Sequence, residues 1–186
     1  MAQYILASQS PRRKQLMEWA EINFEVIVES TDESFPDGLE PDGTAMHIAH
    51  EKALAVASKV GRAKTIIAAD TIVVLEREII GKPKDEQDAI SILEKLSGNH
   101  HKVITGVSIL APGKEILFND VTDVEFYPLT KEQVKFYVQK YKPFDKAGAY
   151  AIQEWIGVVG IKSIIGDFYN VMGLPVSRVV QALSQI

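Results

Sequence analysis

Strands alternating with helices along one chain predict an α/β fold, and three observations carry that expectation. The first is a strand, turn, helix opening, in which the apolar run Tyr4 to Ala7 meets Ser8 and a helix follows over Pro11 to Ala20. The second is the β-branched run Thr65 to Leu75, long enough for a central strand and interrupted by Asp70. The third is a hairpin pattern, Val103 to Leu110 and Glu115 to Phe126, turning at Pro112 and Gly113.

The opening helix has Ser10 as its N-cap and a proline in its first turn. Phe24 to Val28 alternates as a second strand, and Glu29 to Asp42, rich in Asp, Glu, Pro and Gly, predicts a long loop of the kind that carries function. Thr44 to Val60 places Ile48, Ala49, Ala53, Val56 and Val60 at helical spacing, with Gly61 as the stop. Glu76 to Glu78 turns into Ile79 and Ile80, and Asp85 to Leu96 reads as a helix closed by Gly98. Thr130 to Tyr141 is a helix begun by a threonine cap. The tail holds strand-like segments around Tyr150 and Ile161, a turn over Tyr169 to Pro175, and a closing helix from Pro175. At 186 residues the chain predicts one domain over 1–186, with a single core that can divide into two lobes.

Composition excludes several function classes. With no cysteine there is no disulfide framework, no thiolate nucleophile and no sulfur-held zinc, which fits a cytoplasmic protein. The first apolar run stops at Ser8, before Arg12, Arg13 and Lys14, so no signal peptide is expected, and no window approaches the roughly 20 apolar residues of a membrane span. A net charge of −5 argues against stable nucleic-acid binding but leaves room for a small anion held by a local cluster of Arg and Lys.

The chemistry concentrates in a few places. Ala69, Asp70, Thr71 put a carboxylate at the end of an apolar run, and Gly81, Lys82, Pro83 follow after the next one; an acid beside a lysine suits phosphate chemistry, with the acid holding a divalent metal or taking a proton from water. The alternative is that Asp70 starts a turn. Ser8 to Arg13 lies at a strand-to-helix turn, where free backbone N–H groups and two guanidinium forks favour phosphate, or where Ser10 and Pro11 only cap the helix. Asp32 and Glu33, with Glu51 and Lys52 on the next helix, are either a metal ligand and a phosphate contact or surface charge. His47 and His50 have no third ligand at a recognised interval, and His100 and His101 are read as ordering a turn. Asp145 to Gly148, then Tyr150 and Gln153, form a second polar cluster in which an amide can both donate to and accept from a base edge.

Taken in order, these blocks resemble the Maf family of nucleotide pyrophosphatases over nearly the whole chain: Ser8 to Arg13, Glu51 to Ala53, Ala69 to Thr71, Gly81 to Pro83, Ser97 and Gly98 with His101, Thr105 to Val107, Asp145 to Gly148, and Asn170 to Pro175. The resemblance implies a mixed, twisted sheet with flanking helices, in two lobes around a central cleft and similar to inosine triphosphate pyrophosphatases. It implies hydrolysis of a nucleoside triphosphate to monophosphate and pyrophosphate with a divalent metal, Mg2+ or Mn2+. By motif position Asp70 is the general base and a metal ligand, Glu33 a metal or water ligand, and Arg13, Lys52 and Lys82 phosphate ligands. Ser8 belongs to the first substrate-binding motif, and Arg12, Thr71 and Gln153 select the substrate. The stretch Ala149 to Gln153 is similar to the branch acting on dTTP and UTP rather than on 7-methyl-GTP. The resemblance also allows a homodimer and a link to inhibition of septum formation, for which a nucleotide sensor without turnover is the rival reading.

Overall fold

Three long β-branched segments with few breakers form the strands on which everything else is hung. The computed structural model describes residues 3–32, 34–36 and 38–186. Its strands are β1 (Tyr4–Leu6), β2 (Phe24–Val26), β3 (Thr65–Leu75), β4 (Glu78–Ile80), β5 (His100–Ala111), β6 (Lys114–Phe126) and β7 (Ile161–Ile165). They make one seven-stranded sheet in the order β2-β1-β3-β5-β6-β7, with β4 paired to β3. The sheet is mixed: β1 runs parallel to both β2 and β3, whereas β3–β4 and β6–β7 are antiparallel. The helices are α1 (Pro11–Trp19), α2 (Pro41–Val60), α3 (Glu86–Leu96), α4 (Lys131–Tyr141), α5 (Trp155–Gly160), α6 (Phe168–Met172) and α7 (Val176–Leu183). The architecture is therefore the expected α/β arrangement of a mixed sheet flanked by helices.

The chain divides into two compact units, and β3, β5 and β6 each contribute to both. The first comprises residues 1–71, 105–120 and 173–186. Its core joins Ile5 of β1, Ala7 just beyond it, Ile66 and Ala68 of β3 and Leu110 of β5 to Ala53, Val56 and Ala57 of α2. The period of two on the strands and the three-four spacing on the helix put these residues on one sheet face and one helix stripe. Alanines let the helix sit close. At Gly106 of β5 a Cβ would lie 2.3 Å from the Ala45 carbonyl, so only glycine accommodates the α2 backbone there.

The second unit comprises residues 72–104 and 121–172. Asp85 caps α3 by accepting the Asp88 N–H at 2.8 Å. Thr130 and Gln133 form a capping box at the start of α4, with bonds of 3.2 and 2.8 Å. The buried side of α3 packs against α4 and against a 3₁₀ turn at Ala147–Ala149.

Several elements differ from the sequence expectation for identifiable reasons. Helix α2 begins at Pro41 rather than Thr44, because proline at the first helical position has no N–H to leave unsatisfied. Strand β5 begins at His100 rather than Val103, so the two histidines lie in the sheet and not in a turn; the Phe126 N–H still donates to Asn99 O at 3.1 Å. Tyr150 is extended, at φ −148 and ψ 164, yet belongs to no strand, since the Ala149 N–H donates to the Lys146 carbonyl and the Ala151 N–H to the Tyr137 hydroxyl rather than to a ladder. Helices α5 and α6 have no counterpart in the sequence expectation. Each has fewer than two turns, too short to show a 3.6-residue period, and α6 occupies part of the expected turn at Tyr169 to Pro175.

Candidate active site

Within the first unit the guanidinium of Arg13 is fixed from three sides. Ser10 caps α1 by accepting the Arg13 N–H at 3.4 Å, which sets this side chain on the helix's first turn beside the end of β1. Arg13 Nε donates to the Gly173 carbonyl at 2.7 Å, Nη1 to Ser8 Oγ at 3.2 Å and Nη2 to Thr71 Oγ1 at 3.0 Å. Ser8, which is buried, also accepts the Ser10 N–H at 3.2 Å. Thr71 Oγ1 lies 2.9 Å from Thr105 Oγ1 and 3.4 Å from Gly173 O, so Thr105 can donate to Thr71 while Thr71 donates to the carbonyl. Gly173 adopts φ +117, the left-handed region that favours glycine, at the position that presents this carbonyl. A planar fork held on three oxygens is pre-oriented in a way a lysine cannot be.

One residue before Thr71, Asp70 carries the carboxylate predicted from the end of the apolar run. Lys52 Nζ of α2 donates to its Oδ1 at 2.7 Å, with both side chains largely shielded, at 18% and 15% exposure. Both side chains keep some exposure, so the pair is only partly desolvated. Arg12 stands half-buried next to Arg13 on α1. Thus Ser8, Arg13 and Thr71 share one hydrogen-bonded network, and Lys52 and Asp70 form an ion pair in the same unit. Glu33 lies outside the described residues.

Lys82 and Gln153 belong to the second unit, both exposed. Lys82 follows Gly81, whose carbonyl accepts the Gly148 N–H at 3.1 Å. Gly148 itself adopts φ +70 and has no room for a side chain, since a Cβ would lie 2.9 Å from Val73. The polar cluster read from Asp145 to Gln153 is therefore a tied loop: Lys146 Nζ is 2.8 Å from Asp145 Oδ1 and 3.7 Å from Glu154 Oε1. His101 does order its surroundings by hydrogen bonding, as its Nε2 lies 2.7 Å from Tyr150 Oη. Burial, reinforced by the neighbouring His100, lowers its pKa from 6.5 to about 4, and burial raises that of Tyr150. His50 Nδ1 is 3.2 Å from Ser108 Oγ.

Among the described residues no group of three or more His, Asp or Glu side chains could hold a metal ion. Asp70 alone nevertheless fits a hard divalent cation that arrives on a triphosphate, because magnesium is commonly held by one or two carboxylates with phosphate oxygens and water supplying the rest. The sequence singled out Asp70, Lys52 and Arg13 but assigned no individual role to Gly173 or Thr105, whose contacts with this network span long sequence separations. Their signal was a glycine before Leu174 and Pro175 and a threonine in the middle of β5, neither specific on its own.

Comparison with known proteins agrees with this architecture. A family described as Maf-like protein matches residues 3–186. A dTTP/UTP pyrophosphatase of Cytophaga hutchinsonii is 50% identical over 98% of this chain and 83% of its own length. One from Bacteroides fragilis is 45% identical over 98% of this chain and 95% of its own. The structure of the Staphylococcus aureus Ham1 protein superposes with a TM-score of 0.56 at 17% identity, covering 98% of this chain and 97% of that one, which is a likeness of fold. Among the described residues no helix is long and apolar enough to cross a membrane.

Proposed function

The chain belongs to the Maf family, and from that premise we propose that it hydrolyses dTTP and UTP to the nucleoside monophosphate and pyrophosphate. The observation that carries this reading is the shielded Lys52–Asp70 pair, one residue from the threonine on which the Arg13 fork is anchored. It sets one base and two fixed cations on adjoining elements. That is the inventory a phosphoryl-group reaction needs, because alignment and charge neutralisation supply most of its acceleration.

In the proposed reaction the Asp70 carboxylate takes a proton from water as the water oxygen bonds to the α-phosphorus. The bond from that phosphorus to the bridging oxygen breaks, and its electron pair leaves with pyrophosphate. Arg13 and Lys52 offset the charge that accumulates on the phosphate oxygens, and Ser8 keeps the Arg13 fork in place. Lys52 moves its charge from Asp70 towards phosphate, which frees the carboxylate for the proton. A divalent cation, Mg2+ or Mn2+, would be held by Asp70 with Glu33 and would make pyrophosphate a better leaving group. Lys82 is assigned to phosphate, and Arg12, Thr71 and Gln153 to choice of substrate.

A panel of nucleoside triphosphates assayed for pyrophosphate release in Mg2+ and in Mn2+ tests the reading. Release from dTTP and UTP, with little from ATP or 7-methyl-GTP, is the expected result. Preference for 7-methyl-GTP, or tight nucleotide binding with no release, would overturn it.

A further inference from the structure

We infer that Tyr137 is a positioning residue for substrate choice, because its hydroxyl clamps both sides of the segment that carries Gln153. The inference rests on the role proposed above for Gln153. Tyr137 is fully buried on α4, and its Oη accepts the Ala151 N–H at 3.1 Å while its O–H donates to Glu154 Oε2. Those two partners bracket Ile152 and Gln153. The Glu154 carboxylate is also close to Lys146, Nζ to Oε1 3.7 Å, so the clamp ends on a charge that is itself held.

Two further contacts restrict the same stretch. Gly157 lets α5 press on it, since a Cβ there would lie 1.8 Å from the Ile152 carbonyl oxygen. Upstream, Gly148 and Ala149 both adopt positive φ, +70 and +57, and the second is a left-handed conformation in a residue with a side chain. Such backbone persists where surrounding structure over-determines it. Tyr150, between strained Ala149 and clamped Ala151, is fixed through its hydroxyl to His101 and edge-on to the Phe126 ring at 5.1 Å. Exposed Gln153 therefore projects from backbone held on one side by a buried hydroxyl contact at Ala151 and on the other by the Glu154 carboxylate, itself close to Lys146. An amide that discriminates a carbonyl from an amine on a base edge needs its position fixed, and the burial of the clamp supplies that.

Tyr137→Phe removes only the hydroxyl. The ratio of kcat/KM for UTP over CTP should fall about tenfold, through a higher KM for UTP, with kcat for UTP held within about twofold. Amide exchange at Ala151 should accelerate in the same variant, a readout that needs no nucleotide. Glu154→Gln keeps an oxygen able to accept from Tyr137 and should preserve the ratio, whereas Glu154→Ala should lower it. This pair carries the test if Tyr137→Phe does not fold. A folded Tyr137→Phe with an unchanged ratio, or with kcat reduced equally on both nucleotides, overturns the inference. Wild-type protein that hydrolyses none of the triphosphates overturns the functional reading and the inference with it, an outcome distinct from wild-type selectivity that survives the substitution.

Discussion

The Arg13 network of the first unit and the Ala151–Glu154 segment of the second solve the same problem, placing a polar side chain, by different means. Arg13 is a charged group kept partly accessible and fixed by oxygens drawn from four stretches of chain, Ser8, Thr71, Gly173 and, through Thr71, Thr105. Gln153 is an exposed amide whose own side chain is not what is fixed; its backbone is, by the fully buried hydroxyl of Tyr137. A group that must neutralise phosphate has to stay charged, so its partners are acceptors around an accessible cation. A group proposed to read a base is placed here at a distance, through its backbone, by the buried hydrogen bond from the Ala151 N–H to Tyr137.

The strongest way to break this contrast is to remove the charge chemistry and leave the framework. Asp70→Asn should reduce pyrophosphate release by about 1,000-fold while nucleotide affinity, followed by calorimetry, changes only a few-fold. Loss of binding to the same degree as turnover would make Asp70 a binding residue.

The next largest effect tests the second region. His101 is buried beside Tyr150, and its pKa is lowered from 6.5 to about 4 by burial first and by His100 second. The folded state thus binds fewer protons than the unfolded state between those values. Its contribution is fully present above pH 6.5 and is lost as pH falls towards 4, about 3 kcal/mol over that interval. Urea unfolding of wild type and His101→Gln at either end of that interval should show the wild type losing more stability by about that amount.

Arg13→Lys sharpens the charged side, because it keeps the charge and loses the fork. With three anchored bonds gone, kcat/KM should fall about 30-fold. A variant close to wild type would mean that charge alone suffices. The smallest effect is Thr130→Ala, which removes the capping box at the root of α4, the helix that carries Tyr137. It should lower stability by about 1 kcal/mol in urea unfolding and leave kcat unchanged.

How legible each region was follows from the range of its contacts. Strand β3 was read with its full bounds because β-branched residues run through it, and the Ser10 and Thr130 caps are local patterns. Asp70 and Lys52 were singled out separately, and their pairing across 18 residues needs the fold. The Gly173 carbonyl is 160 residues from Arg13, a distance at which no periodicity or spacing speaks. Tyr137 lies inside a helix that the sequence marks only by its threonine cap, and nothing local distinguishes a buried hydroxyl from a buried ring. The segment around Tyr150 reads as strand-like, and Tyr150 is extended, but the N–H groups on either side of it bond to the Lys146 carbonyl and the Tyr137 hydroxyl instead of to a ladder.

Hydrolysis of dTTP in heavy-oxygen water, with the products separated and weighed, tests the central claim most directly. Attack at the α-phosphorus predicts dTMP and pyrophosphate, with the label in dTMP alone. Label in pyrophosphate would place attack on the β-phosphorus, and orthophosphate with dTDP would mean that the terminal bond is the one broken; either result contradicts the account.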